Sequence, residues 1–353
     1  MRTKRAAEAF EAGERTDQGR GAWIDPNAGQ ISLETYSTSW LAARASLRPG
    51  TRELYDGHLK NHILPTLGDV ELSRLTTERV RCWHAGLLAA GMPGEVTVAK
   101  CYRLLRTILA TAVEDGLIVK NPCNIRNAAV EHSPERRTAT IGQIGALADS
   151  VGDDLRLMVL LGTYTTLRLG ELLGLERRHI DIDGGTVDVV QQAQELRSGQ
   201  GIVGPPKTSA GVRTVTIPES IRAEVAAHLA ARVGPAPDAV VFTGADGMPL
   251  RRKAWTDRWH RAREEVGLPE MHFHDCRHTG STLAAASGAT TKELMRRMGH
   301  ASPRAALIYQ HATRDRDAAI AAALSDLIDR GRPPASEELR SADDQPEPRS
   351  DVP

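Results

Sequence analysis

Five short segments of this 353-residue chain gather side chains that handle anions and protons. In the stretch 163–175, Arg168 and Glu171 stand three apart, so at a helix start they share a face. That spacing suits a surface ion pair. It equally suits a guanidinium fork held by a carboxylate and aimed at an anion. Lys207, in Pro205-Pro206-Lys207-Thr208, lies in a loop rich in Gly, Pro and Ser, where it is either a solvated charge or a mobile proton donor. The run His272-Phe273-His274-Asp275-Cys276-Arg277-His278-Thr279 is denser. His274 and Arg277, three apart on a first helical turn, can point at one spot, and a helix N-terminus favours anions. The acid and thiol are poorly spaced for zinc, so phosphate binding fits better than a metal centre. His300 follows Met298-Gly299, where a helix should end, and Tyr309 sits nine residues further on, in Ile308-Tyr309-Gln310-His311. Taken by itself, such a tyrosine is ordinarily a packing residue.

These groups need a scaffold, and hydrophobic periodicity outlines one. Leu33, Tyr36, Trp40 and Leu41 recur at helical spacing from Ser32 onward. Further helices are expected over 51–63, closed by Pro65 and Gly68; over 76–90, capped by Thr76 or Thr77 and stopped by Gly91; and over 96–115, ending at Gly116. Residues 32–123 thus read as a compact, all-helical domain. The polar stretch 124–136, with Pro134, reads as a linker. Within 137–330, helices are expected at about 141–150, 153–163, 219–232, 252–266, 275–287, 290–298 and 303–328. Alternating runs at 186–190 and 212–217 read as two strands of a hairpin, with Lys207 in the turn between them. The segment 1–31 is polar and Gly-rich around Gly19-Arg20-Gly21, and 331–353 is too poor in apolar residues to build a core. The expected fold class is mainly α with a small antiparallel β-sheet (α+β), in two domains.

Weak one by one, the segments gain force from their order. Arg168, Lys207, His274 with Arg277, His300 and Tyr309 resemble, in sequence order, the active-site pattern of the tyrosine recombinases, the phage integrase family of site-specific DNA recombinases. The phrases LRLGELLGL, PKT, RTVTIP, HDCRHT, MGHAS and IYQH carry the same resemblance, which covers about residues 137–328. The helical domain before it resembles the family's core-binding domain by position and pattern. The resemblance implies a two-domain clamp on duplex DNA, four protomers assembled on the attachment sites, and accessory directionality or DNA-bending proteins as further partners. It implies Tyr309 as the nucleophile forming a 3′-phosphotyrosine bond, with His274 assisting. Arg168, Arg277 and His300 would hold the phosphate, Lys207 would protonate the leaving oxygen, and no cofactor or metal would be required. A helix from about 318 to 327, beyond Tyr309, would dock on a neighbouring protomer. Two departures stand out: Thr166 where the family usually has Gly, and Cys276 where it usually has Leu. Residues 1–31 resemble only the last part of the family's small arm-binding domain, without the strands expected before it: either that domain is lacking or the chain starts late, and residues 1–31 by themselves do not support arm-site binding.

Composition bounds the class without choosing within it. Apolar residues make up 41% and charged residues 25%, a soluble globular balance. No apolar run reaches the roughly 20 residues of a membrane span, and no apolar stretch follows the basic start, so a cytoplasmic, nucleoid-associated protein is expected. Cys82, Cys101, Cys123 and Cys276 are scattered and read as free thiols. Net charge is zero overall, but six acids against two bases in 336–353 leave residues 1–335 at +4. Total charge therefore does not argue for DNA; only basic residues gathered on one face would. Two other readings share these residues: a DNA-binding relic or regulator that has lost catalysis, and a relaxing enzyme of the type IB topoisomerase kind.

Overall fold

The computed structural model describes residues 28–131, 137–307, 309 and 314–331. The expectations for residues 1–27, for 132–136 of the linker and for the tail after Gly331 lie outside the described residues. The chain divides into two compact units, one of residues 1–136 with 193–204, the other of 137–192 with 205–353.

The first unit is built from α1 (Leu33–Ala43), α2 (Pro49–His58), α3 (Thr77–Ala89) and α4 (Glu95–Glu114). Ser32 and Thr76 cap α1 and α3 by accepting from the backbone N–H of Thr35 and Arg79. Leu33, Trp40, Ile63, Trp83, Tyr102, Leu105 and Ile108 form the core. Polar atoms of its aromatics are satisfied: Trp83 Nε1 donates to the His62 carbonyl at 2.8 Å and Tyr36 hydroxyl to Asp115 at 2.6 Å. Pro65 does not close the second helix as expected. After α2 the chain widens into a π-turn over Leu59–Ile63 and continues through a helical turn, Leu64–Leu67, with Pro65 in its first two positions. The wider turn accommodates a residue that lacks an N–H and crowds the preceding turn.

The second unit holds α5 (Ile141–Ser150), α6 (Arg156–Tyr164), α7 (Leu169–Leu173), β1 (Ile180–Asp181) and β2 (Thr186–Val189). β3 (Gln192–Glu195) and β4 (Gly201–Gly204) pair as a separate two-stranded sheet. Then come β5 (Arg213–Thr216), α8 (Glu219–Arg232), α9 (Arg252–Glu265), α10 (Phe273–Ala286), α11 (Thr291–Met298), α12 (Pro303–Leu307) and α13 (Arg314–Gly331). The sheet order is β1-β2-β5, antiparallel, with Val187 opposite Val215 and Val189 opposite Arg213. The pairing of β2 with β5 is the expected hairpin. The inserted β3-β4 pair was expected to be loop, because Gln192–Glu195 is polar and shows no apolar alternation. Residues 193–204 group with the first unit, where the Arg197 N–H donates to Glu53 at 3.1 Å and a Cβ at Gly50 would fall 1.6 Å from Gln194 Nε2.

Two features of the second unit fix where its chemistry sits. From Leu157 through Thr163, α6 is buried on all sides, and α10 lies directly against it. A Cβ at Gly280 would stand 1.8 Å from the Thr163 carbonyl oxygen, so only glycine permits this approach. Trp255, Trp259 and Phe273 pack edge-on, with Phe273 centroids 4.8 and 5.3 Å from the two indoles, and thereby pin the first turn of α10. The expected single helix over 303–328 does not hold at Tyr309: among the described residues α12 runs to Leu307, Tyr309 lies in a turn with its N–H on the Ala306 carbonyl at 3.1 Å, and α13 runs from Arg314.

Candidate active site

Arg168 is the N-cap of α7. Its backbone N–H donates to Glu171 Oε2 at 2.8 Å and its Nη1 to Oε1 at 2.7 Å, so one carboxylate fixes both ends of the residue. Glu171 is buried, and burial opposes its charge. Hydrogen bonds and charge from Arg213, joined by Arg168, overcome that and hold its pKa below the usual carboxylate range. Arg277, one turn into α10, is 2% exposed. It donates to the carbonyls of Thr166 and Met298, and its Nη2 stands 3.2 Å from His300 Nε2. Burial first, then the neighbouring Arg168, press its pKa down to about 9, which leaves it cationic at neutral pH.

His300 follows a helix end that only glycine makes easily. α11 opens on a Thr290–Glu293 capping box and closes at Gly299, whose φ of 64° is left-handed. A Cβ there would also meet the Ala210 carbonyl at 2.9 Å. The turn directs the Gly299 carbonyl to Arg168 Nη2 at 3.2 Å. Burial, and then Arg277 and Arg168, lower the His300 pKa to about 4, so the ring is neutral. A guanidinium N–H at Nε2 can only donate, which places the ring proton on Nδ1, a buried atom with no partner among the described residues. Thr166 has φ 57°, the left-handed region that explains why a glycine is usual at this position; it turns its carbonyl to Arg277.

Tyr309 is half-buried, and its hydroxyl lies 2.5 Å from His278 Nδ1. Burial raises the phenol pKa, opposed by the charge of Arg277 and a hydrogen bond to Ser281. His274, exposed on the first turn of α10, meets His278 edge-on at 4.9 Å. The six expected groups are thus placed unequally. Arg168, Arg277, His300 and Tyr309 share one electrostatic neighbourhood; His274 adjoins it through His278; Lys207 stands exposed on the stretch between β4 and the turn Ser209–Gly211.

Two participants escaped the sequence reading. His278 is four residues from His274, one turn along the same helical face, a spacing that could have drawn it in. Arg213 donates from Nη1 and Nη2 to Glu171 at 3.2 and 3.0 Å. Period-two alternation through Arg213, Val215 and Ile217 puts all three on the inward side of their strand. Arg168, Arg213 and Arg277 against one Glu171, beside a neutral His300, leave a surplus of positive charge in a shielded place next to a phenol. Such an arrangement has the chemistry to bind a phosphate-like anion and to stabilise added charge on it.

Comparison with known proteins finds relatives of the whole chain and of its fold. The profile of the "Phage integrase family" matches residues 141–316, and that of the "Phage integrase, N-terminal SAM-like domain" matches 32–88. The integrase of Mycobacterium phage L5 is 37% identical over 334 residues, 92% of this chain and 89% of that protein. The integrase of Mycobacterium phage D29 is 36% identical over 332 residues, 91% of this chain and 87% of that protein. Among solved structures, the Tn1549 transposon integrase in complex with transposon right end DNA shares the fold, with a TM-score of 0.71 at 20% identity over 84% of this chain and all of that one. A λ integrase dimer bound to a COC′ core site shares it with a TM-score of 0.59 at 20% identity, over 77% of this chain and 96% of that one. The chain belongs to the phage integrase family, the DNA breaking and rejoining enzymes of the tyrosine recombinase class.

Proposed function

We propose that this chain recombines duplex DNA at a specific attachment site, integrating or excising a mobile element, with Tyr309 as nucleophile. Tyr309 Oη attacks the scissile phosphorus, the 5′-oxygen leaves, and a 3′-phosphotyrosine bond keeps the ester energy for the returning strand. The observation that carries this reading is the Tyr309 hydroxyl at 2.5 Å from an imidazole, beside Arg277 and the buried group of cations around Glu171. His278 receives the phenol proton, and His274 is the second imidazole at the nucleophile. Arg168 and Arg277 hold the non-bridging oxygens, and His300 adds its free Nδ1–H; one preorganised donor of this kind is worth on the order of 3 kcal/mol. Lys207, on an exposed stretch, protonates the leaving 5′-oxygen.

Strand exchange cuts two duplexes twice each, so the active assembly is a homotetramer on DNA, aided by directionality or DNA-bending proteins. Ile320, Leu324, Leu327 and Ile328 give α13 an exposed apolar stripe, which supports its docking on a neighbouring protomer. No helix among the described residues is long and apolar enough to cross a membrane. The chain works in the cytoplasm, on the nucleoid.

The test is recombination itself. Purified protein with two DNAs carrying the attachment sites flanking its element should yield the two hybrid junctions. Site-specific binding without cleavage would favour the catalytically inactive relic, and site-independent relaxation of supercoiled plasmid would favour the topoisomerase reading.

A further inference from the structure

We infer that Arg213 is a positioning residue for the reaction, acting through Glu171 on Arg168. The inference rests on the reading of Arg168 as a clamp on the DNA phosphate. The Arg213 side chain is 3% exposed and the Glu171 side chain 1%, a pairing out of reach of solvent. Glu171 takes four donors: Nη1 and the backbone N–H of Arg168, and Nη1 and Nη2 of Arg213. A buried carboxylate facing Arg168 alone would compete with the DNA phosphate for that guanidinium. Arg213 supplies a second cation, so Glu171 can orient Arg168 without spending all of its charge.

The remaining donors of Arg213 reach in two other directions. Nε donates to the Arg297 carbonyl at 2.8 Å, in the last turn of α11 before Met298-Gly299-His300. Nη1 also donates to the Gly211 carbonyl at 2.9 Å, in the turn that follows Lys207 and Thr208. One planar fork therefore ties α7, the end of α11 and the loop after Lys207 together. The ammonium of a lysine, a single point with three donors, cannot span a bidentate carboxylate and two carbonyls on opposite sides.

The experiment compares Arg168→Ala, Arg213→Lys and their double variant in the full chain. The readouts are covalent adduct formation on a nicked attachment-site duplex in single turnover, affinity for the same duplex, and thermal midpoint. Arg213→Lys is expected to keep affinity within about threefold and to slow adduct formation about 100-fold, the scale for losing one preorganised donor. Added to Arg168→Ala, it should slow the reaction less than about threefold further, since it acts through the residue already removed. Unchanged rates in Arg213→Lys, or losses that multiply in the double variant, would overturn the inference. If Arg213→Lys does not fold, Glu171→Gln with Arg213→Met removes both members of that buried ion pair together, so neither is left facing an empty partner. That pair is expected to slow the reaction at least about tenfold and to add nothing to Arg168→Ala; a wild-type rate or a multiplied loss overturns the inference there too. Arg168→Ala reacting at the wild-type rate would instead strike the clamp reading itself.

Discussion

Arg277 is almost wholly buried, and an unpaired guanidinium at such depth is costly; two carbonyls, Thr166 and Met298, make the position tenable. Both are offered by unusual backbone: Thr166 in a left-handed conformation, Met298 just ahead of the left-handed Gly299. Local strain thus serves to aim the cation. Arg277→Ala is expected to slow covalent adduct formation by about 100- to 1000-fold while leaving affinity for duplex DNA within severalfold, measured by single-turnover kinetics and gel shift. Thr166→Gly relieves a left-handed β-branched residue worth about 1–2 kcal/mol, against the loss of a buried methyl and the weak 3.4 Å contact of its hydroxyl to the Arg297 carbonyl. It should leave the midpoint of chemical denaturation unchanged or raise it, with cleavage retained; a large fall would show that the side chain matters more than the conformation.

At the scale of elements, the site depends on how closely α10 approaches α6. Gly280→Ala places a methyl against the Thr163 backbone oxygen and should cost about 2–3 kcal/mol, read as a lowered denaturation midpoint; an unchanged midpoint would mean that the two helices can separate freely. The sequence announced most of this scaffold because amphipathic helices and alternating strands carry their own period. Thr76 and Gly299 marked helix ends by residue type alone, and Arg168 with Glu171 was legible because both belong to one turn. Three things were not legible, each for a physical reason. Pro65 ends helices by local rules, yet a widened turn absorbs it. β3 is polar, and β4 is two apolar residues between glycines, so neither shows the alternation that marks a strand. Arg213 meets Glu171 across 42 residues of chain, and no local pattern encodes a contact of that separation.

At the scale of the whole molecule, buried histidines set how stability responds to acid. Burial lowers the pKa of His58, His84, His179, His228 and His300, the last to about 4. The unfolded chain then binds more protons than the folded one between the ordinary histidine value of about 6.5 and these depressed values. Stability is accordingly full above that ordinary value and is lost as pH falls toward about 4 for His300. The thermal midpoint should drop over this window, and His300→Gln should drop less steeply; a flat profile would contradict the burial of these rings. The central claim concerns the covalent link that makes cutting and rejoining one reversible reaction. Its most direct test uses an attachment-site duplex nicked beside the scissile phosphate, so that the released fragment diffuses away and the intermediate accumulates. The account predicts a denaturation-resistant protein–DNA adduct whose modified peptide carries the nucleotide on Tyr309, and no adduct with Tyr309→Phe; an adduct that persists in that variant, or that maps to another residue, would contradict it.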